Sequence, residues 1–251
     1  MSPRLPLALA LSVLLVAGAC GGNDDDNDTA PETTSTTAEA PERDLEADRE
    51  LASGALLQLS DLPTGWEATP AEDDDDADDD QAFTEQFAAC TGIDEKDWFG
   101  AEDDDDASAD APDFENAEDQ TVAHSVSVSE DAATAERGFG VLQLDATPGC
   151  LTEAFGEMIR AAAAEEDDFN VGEISVNEMT FPDLAERTVA FRATVPVATQ
   201  GLQIELYLDM VFSQAGRMTS IMMTQGVIEP FDPALAEQLA TTAAERLDAS
   251  A

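Results

Sequence analysis

Residues 189–225 read VAFRATVPVATQGLQIELYLDMVFSQAGRMTSIMMTQ, and this stretch decides the fold. Apolar side chains occupy alternate positions from Val189 to Val197 and again from Leu202 to Phe212, with mostly polar residues between them. Successive side chains of a strand point to opposite faces, so the pattern gives each strand one buried and one wet face. This arrangement is typical of an antiparallel sheet, and a third strand is predicted from Arg217 to about Gln225.

Outside this stretch, the spacing of apolar residues alternates between helical and extended patterns. A helix is predicted around residues 51–62, a strand over 121–129, two helices within 132–162, and a short strand at residues 174–176. Asp232 followed by Pro233 is a typical start for the last helix. The order of elements predicts a single α+β domain, in which helices pack on one face of an antiparallel sheet of about four to five strands.

The N-terminus carries a secretion signal. Arg4 supplies a positive charge, and the apolar run over residues 5–17 is shorter than the ~20 residues that cross a bilayer. This layout predicts a signal peptide over residues 1–19. Residues 16–21, VAGACG, resemble the bacterial lipobox, which implies that Cys20 receives a lipid and anchors the chain on the extracytoplasmic face of the cell membrane. The alternative is ordinary cleavage before an unmodified Cys20.

Composition divides the rest of the chain into a tether and a domain. Residues 20–43 contain no large apolar side chain, and the first such residue after Cys20 is Leu45. We therefore expect a disordered tether after the lipidated cysteine. Residues 44–250 form the expected globular domain. Within it, acidic loops are predicted near residues 71–80 and 101–120.

The charge of the chain excludes one class of partner. Ten basic and fifty-six acidic residues give a formal net charge of −46. A nucleic-acid-binding protein needs a basic surface to displace counterions from phosphates, so we expect no nucleic-acid partner. Anionic lipid headgroups would also repel the domain, which leaves the lipid on Cys20 as its means of attachment.

The first acidic run raises the question of cation binding. Asp74, Asp76, Asp78 and Glu85 fall at positions one, three, five and twelve of the EF-hand spacing, but Asp79 stands where a glycine is needed for the turn. A plain solvated segment is therefore the expectation, and weak nonspecific association of divalent cations and a specific calcium site are the alternatives.

Two cysteines remain once Cys20 carries the lipid. Cys90 and Cys150 form an even pair in an oxidising compartment, which predicts a disulfide between them. Two free thiols, or half of a metal site, are the alternatives.

No motif for catalysis or for a cofactor is present. The sequence lacks Gly-x-Ser-x-Gly, a Gly-rich phosphate loop and His-Glu-x-x-His. The only histidine, His124, shares a strand face with valines, so a hydrogen-bonded core residue is the favoured interpretation. Trp66 and Met222 are weak candidates for an apolar ligand site, although core packing is the more common role for such residues.

Several features together resemble a known group of proteins. They are the acylated Cys20, the Thr/Ser/Glu/Pro tether, the turn DLPTGW at 61–66, the SVSV strand leading to an alanine-rich helix, and the late cysteine pair. These features resemble uncharacterised actinobacterial secreted lipoproteins. More distantly, the order of elements is similar to extracellular sensor domains of mycobacterial serine/threonine kinases and to Mog1/PsbP-like lipoproteins. The resemblance implies a ligand-binding role, as a fold-level analogy only.

The functional expectation is a membrane-anchored extracytoplasmic lipoprotein. It would act as a non-catalytic module that binds a ligand or a protein partner of the cell envelope. Two alternatives stay open. One is a cell-wall hydrolase that uses paired carboxylates, and the other is a structural or interaction lipoprotein without a small ligand.

Overall fold

The computed structural model describes residues 43–69, 77–93, 107–164, 169–199 and 201–251. The predicted signal peptide, the lipidation of Cys20 and the tether up to residue 42 lie outside these residues. Within the described ranges, no helix is both long and apolar enough to cross a membrane.

Five helices and nine strands make up the described part of the chain. The helices are α1 (Leu45–Ala55), α2 (Ala77–Thr91), α3 (Ala132–Leu142), α4 (Thr147–Ala164) and α5 (Pro233–Ser250). The strands are β1 (Trp66–Thr69), β2 (Ala107–Asp110), β3 (Asp113–Asn116), β4 (Thr121–Val128), β5 (Phe169–Val171), β6 (Ser175–Glu178), β7 (Arg187–Thr199), β8 (Leu202–Ala215) and β9 (Met218–Val227). Asp44, Asp131 and Asp232 cap α1, α3 and α5 by accepting hydrogen bonds from backbone N–H groups of the first turn.

All nine strands form one antiparallel sheet, in the order β1-β3-β4-β9-β8-β7-β5. Strand β2 also pairs with β4, and β6 also pairs with β7. The predicted antiparallel sheet is confirmed, but the predicted count of four to five strands is too low. The strands that the sequence pattern did not predict are β1, β2, β3 and β5. They have three or four residues each, which is too short for alternation to show in the sequence.

The first face of the sheet carries α3 and α4. Phe191 of β7 and Phe212 of β8 pack there in a buried cluster with Phe139 of α3 and Leu151 of α4. Helix α2 lies outside α4, and its Phe87 joins the same cluster.

The second face carries α1 and α5. Val211 of β8 and Met222 of β9 point to this face and pack with Leu239 of α5, while Ala52 of α1 packs with Val126 of β4. The prediction that helices cover one face is therefore wrong. Both faces of the central strands are buried, because helices pack against each of them.

The acidic segments are also more regular than predicted. Residues 77–80 belong to α2, and the segment 101–120 contains β2 and β3. Phe114 is 1% exposed and pairs with Val122, so β3 contributes to the core despite its acidic neighbours. The rest of the two segments, 71–76 and 101–106, lies outside the described residues.

Candidate functional site

The two residues predicted as weak ligand contacts are packing residues. Trp66 and Met222 are 9% and 1% exposed and lie in one buried cluster of the second face. The ring of Trp66 lies 5.9 Å from that of Phe231, just before α5. The structure brings these residues together, but it places them in the core.

Cys90 and Cys150 form the predicted disulfide. The bond joins the end of α2 to the start of α4, with Cys150 buried and Cys90 exposed. Phe83 of α2 adds a ring contact with Phe155 of α4 at 4.9 Å. The disulfide therefore fixes an acidic outer helix onto the domain, which accounts for both cysteines without a metal.

The EF-hand spacing does not correspond to an EF-hand loop. Asp78 and Glu85 lie on the single helix α2, whereas that loop turns sharply between these positions. Asp74 and Asp76 lie outside the described residues. In the described part of the chain, no three His, Cys, Asp or Glu side chains are grouped as a metal site requires.

His124 is a core residue with both ring nitrogens engaged. The backbone N–H of Leu57 donates to Nδ1 at 3.0 Å, and Nε2 lies 2.8 Å from Ser220 Oγ. A backbone N–H can only donate, so Nδ1 is the acceptor and the ring proton lies on Nε2. Nε2 therefore donates a hydrogen bond to Ser220 Oγ. Burial, aided by the nearby Arg246, lowers the pKa of His124 to about 3. In this tautomer His124 cannot take a proton from Ser220, and the pair does not form a nucleophilic site.

Two clusters of arginine–aspartate ion pairs attach the N-terminal segment to the rest of the domain. Arg246 of α5 donates to both carboxylate oxygens of Asp61 at 2.8 Å each, and to the carbonyl of Leu56. Near the other end of α1, the buried Asp48 accepts from Arg43 and Arg217. Arg217 holds the pKa of that carboxyl below its ordinary value. Both clusters are fully used in holding the fold together.

Polar side chains replace apolar ones at one end of the second face. Arg192 of β7 donates to both carboxylate oxygens of Asp209 of β8, at 2.5 and 2.6 Å. The two residues are direct cross-strand partners, and the Arg192 side chain is 30% exposed while that of Asp209 is 5% exposed. These bonds raise the pKa of Arg192. The pair is a fixed, half-open ion pair on the sheet surface.

Thr224 of β9 lies beside this ion pair. It is the cross-strand partner of Asp209 on the side opposite Arg192, so all three side chains share the second face. Thr224 is 1% exposed, and its Oγ1 has no hydrogen-bond partner. A buried hydroxyl without a partner costs about 1–3 kcal/mol, and a ligand that bonds to it would remove this cost.

Tyr207 and Glu205 continue the polar surface toward the β7–β8 turn. Tyr207, the only tyrosine of the chain, is half-buried, and its hydroxyl donates to Glu205 Oε2 at 2.6 Å. That bond raises the pKa of the Tyr207 hydroxyl. Thr194 is the cross-strand partner of Tyr207. We call these six residues the polar end of the second face: Arg192, Thr194, Glu205, Tyr207, Asp209 and Thr224.

A tight turn forms one border of the polar end. A Cβ placed on Gly226 would lie 2.3 Å from the Glu229 carbonyl oxygen, so the backbone of 229–231 crosses directly over this glycine. Ile228, at the start of the turn, has φ of 71° and is 67% exposed. A β-branched residue is rarely found in this left-handed conformation. Its N–H donates to the carbonyl of Glu205 at 2.8 Å, which places it next to the polar end.

The polar end lies far from the point where the chain enters the domain. Arg43 donates to the carbonyl of Val128 at the end of β4. Val128 pairs with Met218 of β9, and Met218 pairs with Ala215 of β8. Asp209 is six residues further along β8, or about 20 Å at roughly 3.3 Å per residue. The site therefore faces away from the end of the sheet at which residues 1–42 join.

The sequence pattern predicted that these strand positions would be wet, but it did not identify a site. Arg192 and Asp209 stand at equal distances from the connection at residues 200–201, and a two-residue connection fixes hairpin register. Counting back from that connection would have found the ion pair. The absence of a hydrogen-bond partner for Thr224 Oγ1 depends on atomic positions, so it could not be predicted from the sequence.

Comparisons with known proteins find a distant structural likeness. No protein-family model and no curated protein matches the chain. Among solved structures, the crystal structure of the extracellular domain of PknH from Mycobacterium tuberculosis matches with a TM-score of 0.41 and 12% identity, over 80% of this chain and 96% of that one. The expected distant similarity to such an extracellular domain is found, and at this degree of overlap it carries no argument about function.

Proposed function

We propose that the chain is a lipid-anchored, extracytoplasmic binding module that catalyses no reaction and binds its ligand at the polar end of the second face. The observation that carries the proposal is the buried, partnerless Oγ1 of Thr224 beside the half-open ion pair of Arg192 and Asp209. Thr224 is covered in the ligand-free structure, so a small local opening would let a bound polar group reach the hydroxyl and supply the hydrogen bond it lacks. Ligand sites commonly place a few such polar groups against an otherwise packed scaffold.

The location of the site supports the proposed anchor. A module held at a membrane by the lipid on Cys20 is useful when its binding surface faces away from the bilayer. The polar end lies about 20 Å along the sheet from the place where Arg43 enters it, at roughly 3.3 Å per residue. The acidic charge of the chain adds no attraction to anionic lipids, which leaves attachment to the acyl chains.

The carboxylates of the polar end are poorly placed for hydrolysis. Glu205 and Asp209 stand four residues apart on β8, so their Cα atoms lie about 13 Å apart, with Tyr207 between them on the same face. Each carboxylate is also engaged, Asp209 by Arg192 and Glu205 by Tyr207. This geometry favours binding over catalysis.

The test is to express the full chain and its Cys20→Ala variant in an actinobacterial envelope. We expect the wild-type protein in the membrane fraction and the variant in the soluble fraction. Native mass spectrometry of the extracted wild-type protein should show an added non-covalent mass besides the covalent lipid. A Cys20→Ala protein that stays with the membrane would contradict the anchor, and a wild-type protein with no bound molecule would contradict the binding role.

A further inference from the structure

We propose that the ligand of the polar end is a cationic peptide segment, whose arginine or lysine side chain lies on Tyr207 and pairs with Glu205. This inference rests on the proposed function and names the chemistry of its partner. The occupant would be an extended basic segment of another extracytoplasmic protein. It follows from the charge of the whole chain, the exposed groups around Tyr207 and the strained apolar residue beside them.

Charge restricts the partner first. The formal net charge is −46, and a field of one sign raises the local concentration of oppositely charged partners and their association rate. At the polar end, Arg192 is held by two hydrogen bonds to Asp209, so its charge is locally balanced. Glu205 is exposed, and the group that donates to its Oε2 is the neutral hydroxyl of Tyr207. A cation is therefore attracted both by the whole domain and by this carboxylate.

Tyr207 offers a surface that suits a cationic side chain. Its ring is half-buried and is held in place by the bond from its hydroxyl to Glu205 Oε2. The second oxygen of Glu205 can still accept a hydrogen bond. An arginine or lysine head over this ring gains a cation–π contact and an ion pair at once.

Ile228 supplies an apolar surface, which a long cationic side chain can cover but a free metal ion or a small amine would not need. It is 67% exposed, and its N–H is bonded to the carbonyl of Glu205. Its φ of 71° is strained for a β-branched residue, and strained positions held by surrounding structure are frequent at binding sites. The methylene stem of a long cationic side chain can lie on this apolar surface while its head reaches Glu205.

The ion pair accommodates the peptide backbone. The Arg192 guanidinium is 30% exposed and can donate to a peptide carbonyl, whereas the covered Thr224 hydroxyl beside it becomes available only when its neighbours move. An extended segment along the polar end would place its backbone near Asp209 and its side chain near Tyr207. Anionic partners such as nucleic acid or an anionic bilayer meet repulsion at the same surface.

The experiment titrates the full chain with a seven-residue peptide of three arginines alternating with four glycines, followed by calorimetry and by NMR. The comparison peptide has glutamate in place of each arginine. The variants are Glu205→Gln and Tyr207→Leu, and the matched control is Glu237→Gln, which removes one exposed charge from α5. Thermal unfolding of each variant verifies that it is folded.

We expect saturable binding of the arginine peptide and none of the glutamate peptide. Glu205→Gln and Tyr207→Leu should each raise Kd about two- to fivefold, as expected for exposed ion pairs and cation–π contacts. Glu237→Gln should change Kd by less than about 1.5-fold, because salt screens distant charges. Equal effects of Glu205→Gln and Glu237→Gln would show unspecific attraction and overturn the inference.

The result also separates this inference from the function on which it rests. If the arginine peptide does not bind but native mass spectrometry still finds a bound molecule, the cationic peptide is wrong and the binding module stands. If neither binds, both proposals fail.

Discussion

At the scale of single residues, His124 shows how a polar group is used for packing. Its Nδ1 accepts from Leu57 and its Nε2 donates to Ser220, so one side chain joins the segment after α1 to β4 and β9. The sequence predicted a hydrogen-bonded core histidine from the valines on its strand face, and the structure confirms this. Its partners could not be predicted, because Leu57 and Ser220 are distant in sequence.

His124 gives the protein a defined pH dependence. In the unfolded chain it titrates near 6.5, whereas the folded protein takes up this proton only near 3. Between these values the unfolded chain binds more protons, so stability falls as the pH is lowered below 6.5 and is level above it. The loss should be about 2 kcal/mol between pH 6.5 and pH 5, at 1.36 kcal/mol per pKa unit. Chemical denaturation at pH 7, 6 and 5 measures it.

His124→Asn is the control for this prediction. Asparagine keeps an acceptor for the Leu57 N–H but does not titrate in this range. The variant should be less stable at pH 7 and show little change down to pH 5. Asp48 does not contribute to the change between pH 7 and pH 5. Its pKa is lowered in the folded protein, so its stabilising effect is lost only as the pH falls below about 3.8. Parallel pH profiles of the two proteins would contradict the assignment of the effect to His124.

At the scale of elements, the long strands were predictable and most of the short ones were not. β7, β8 and β9 have 10 to 14 residues, and the buried positions of β7 alternate over most of its length, which is the pattern that the sequence displays. The flanking strands have three or four residues and depend on the long strands for pairing partners. Residues 209–215 of β8 are all buried, which reflects helices on both faces. Because these residues are a mixture of apolar and polar types, the sequence pattern did not predict that helices cover the second face.

Pro196 marks a break in the edge of β7. It lies between the residues that pair with β6, which end at Thr194, and those that pair with β5, which begin at Val197. A proline has no N–H to donate, so it suits a strand position without a partner on one side. Its carbonyl accepts from Gly172 in the connection between β5 and β6. The proline therefore helps to divide this edge between two short strands.

The turn over Gly226 provides a prediction for one element. In Gly226→Ala the new Cβ would meet the Glu229 carbonyl at 2.3 Å and the Phe231 nitrogen at 2.8 Å. Backbone atoms must move, so we expect a loss of about 1–3 kcal/mol in the free energy of unfolding. Gly54→Ala in α1 is the matched control, since nothing lies within 4 Å there and a gain of about 0.5–1 kcal/mol is expected. Urea denaturation compares the two, and equal stability would contradict the close approach.

At the scale of the whole molecule, scarce cations hold an acidic protein together. The chain has only ten basic residues, and five arginines in its described part make the following salt bridges: Arg43, Arg192, Arg217 and Arg246 to aspartates, and Arg187 to Glu136. Four of these five pair with a buried or half-buried aspartate, where an ion pair is less screened by salt than at the surface. The remaining surface stays acidic and is suited to cationic partners.

The central claim is that the polar end of the second face is a ligand site, and two threonines test it directly. Thr224 and Thr219 are each 1% exposed with a partnerless Oγ1, but Thr224 faces the polar end while Thr219 points to the first face. Replacing either by valine removes a buried hydroxyl without a partner and should stabilise the ligand-free protein by about 1 kcal/mol. Only Thr224→Val should also weaken binding.

The measurement is native mass spectrometry of Thr224→Val and Thr219→Val proteins extracted from the same envelope, with thermal unfolding of both after the ligand is removed. The account predicts that both variants unfold at a higher temperature, that Thr219→Val retains the bound mass, and that Thr224→Val loses it. Retention of the bound mass by Thr224→Val would contradict the account.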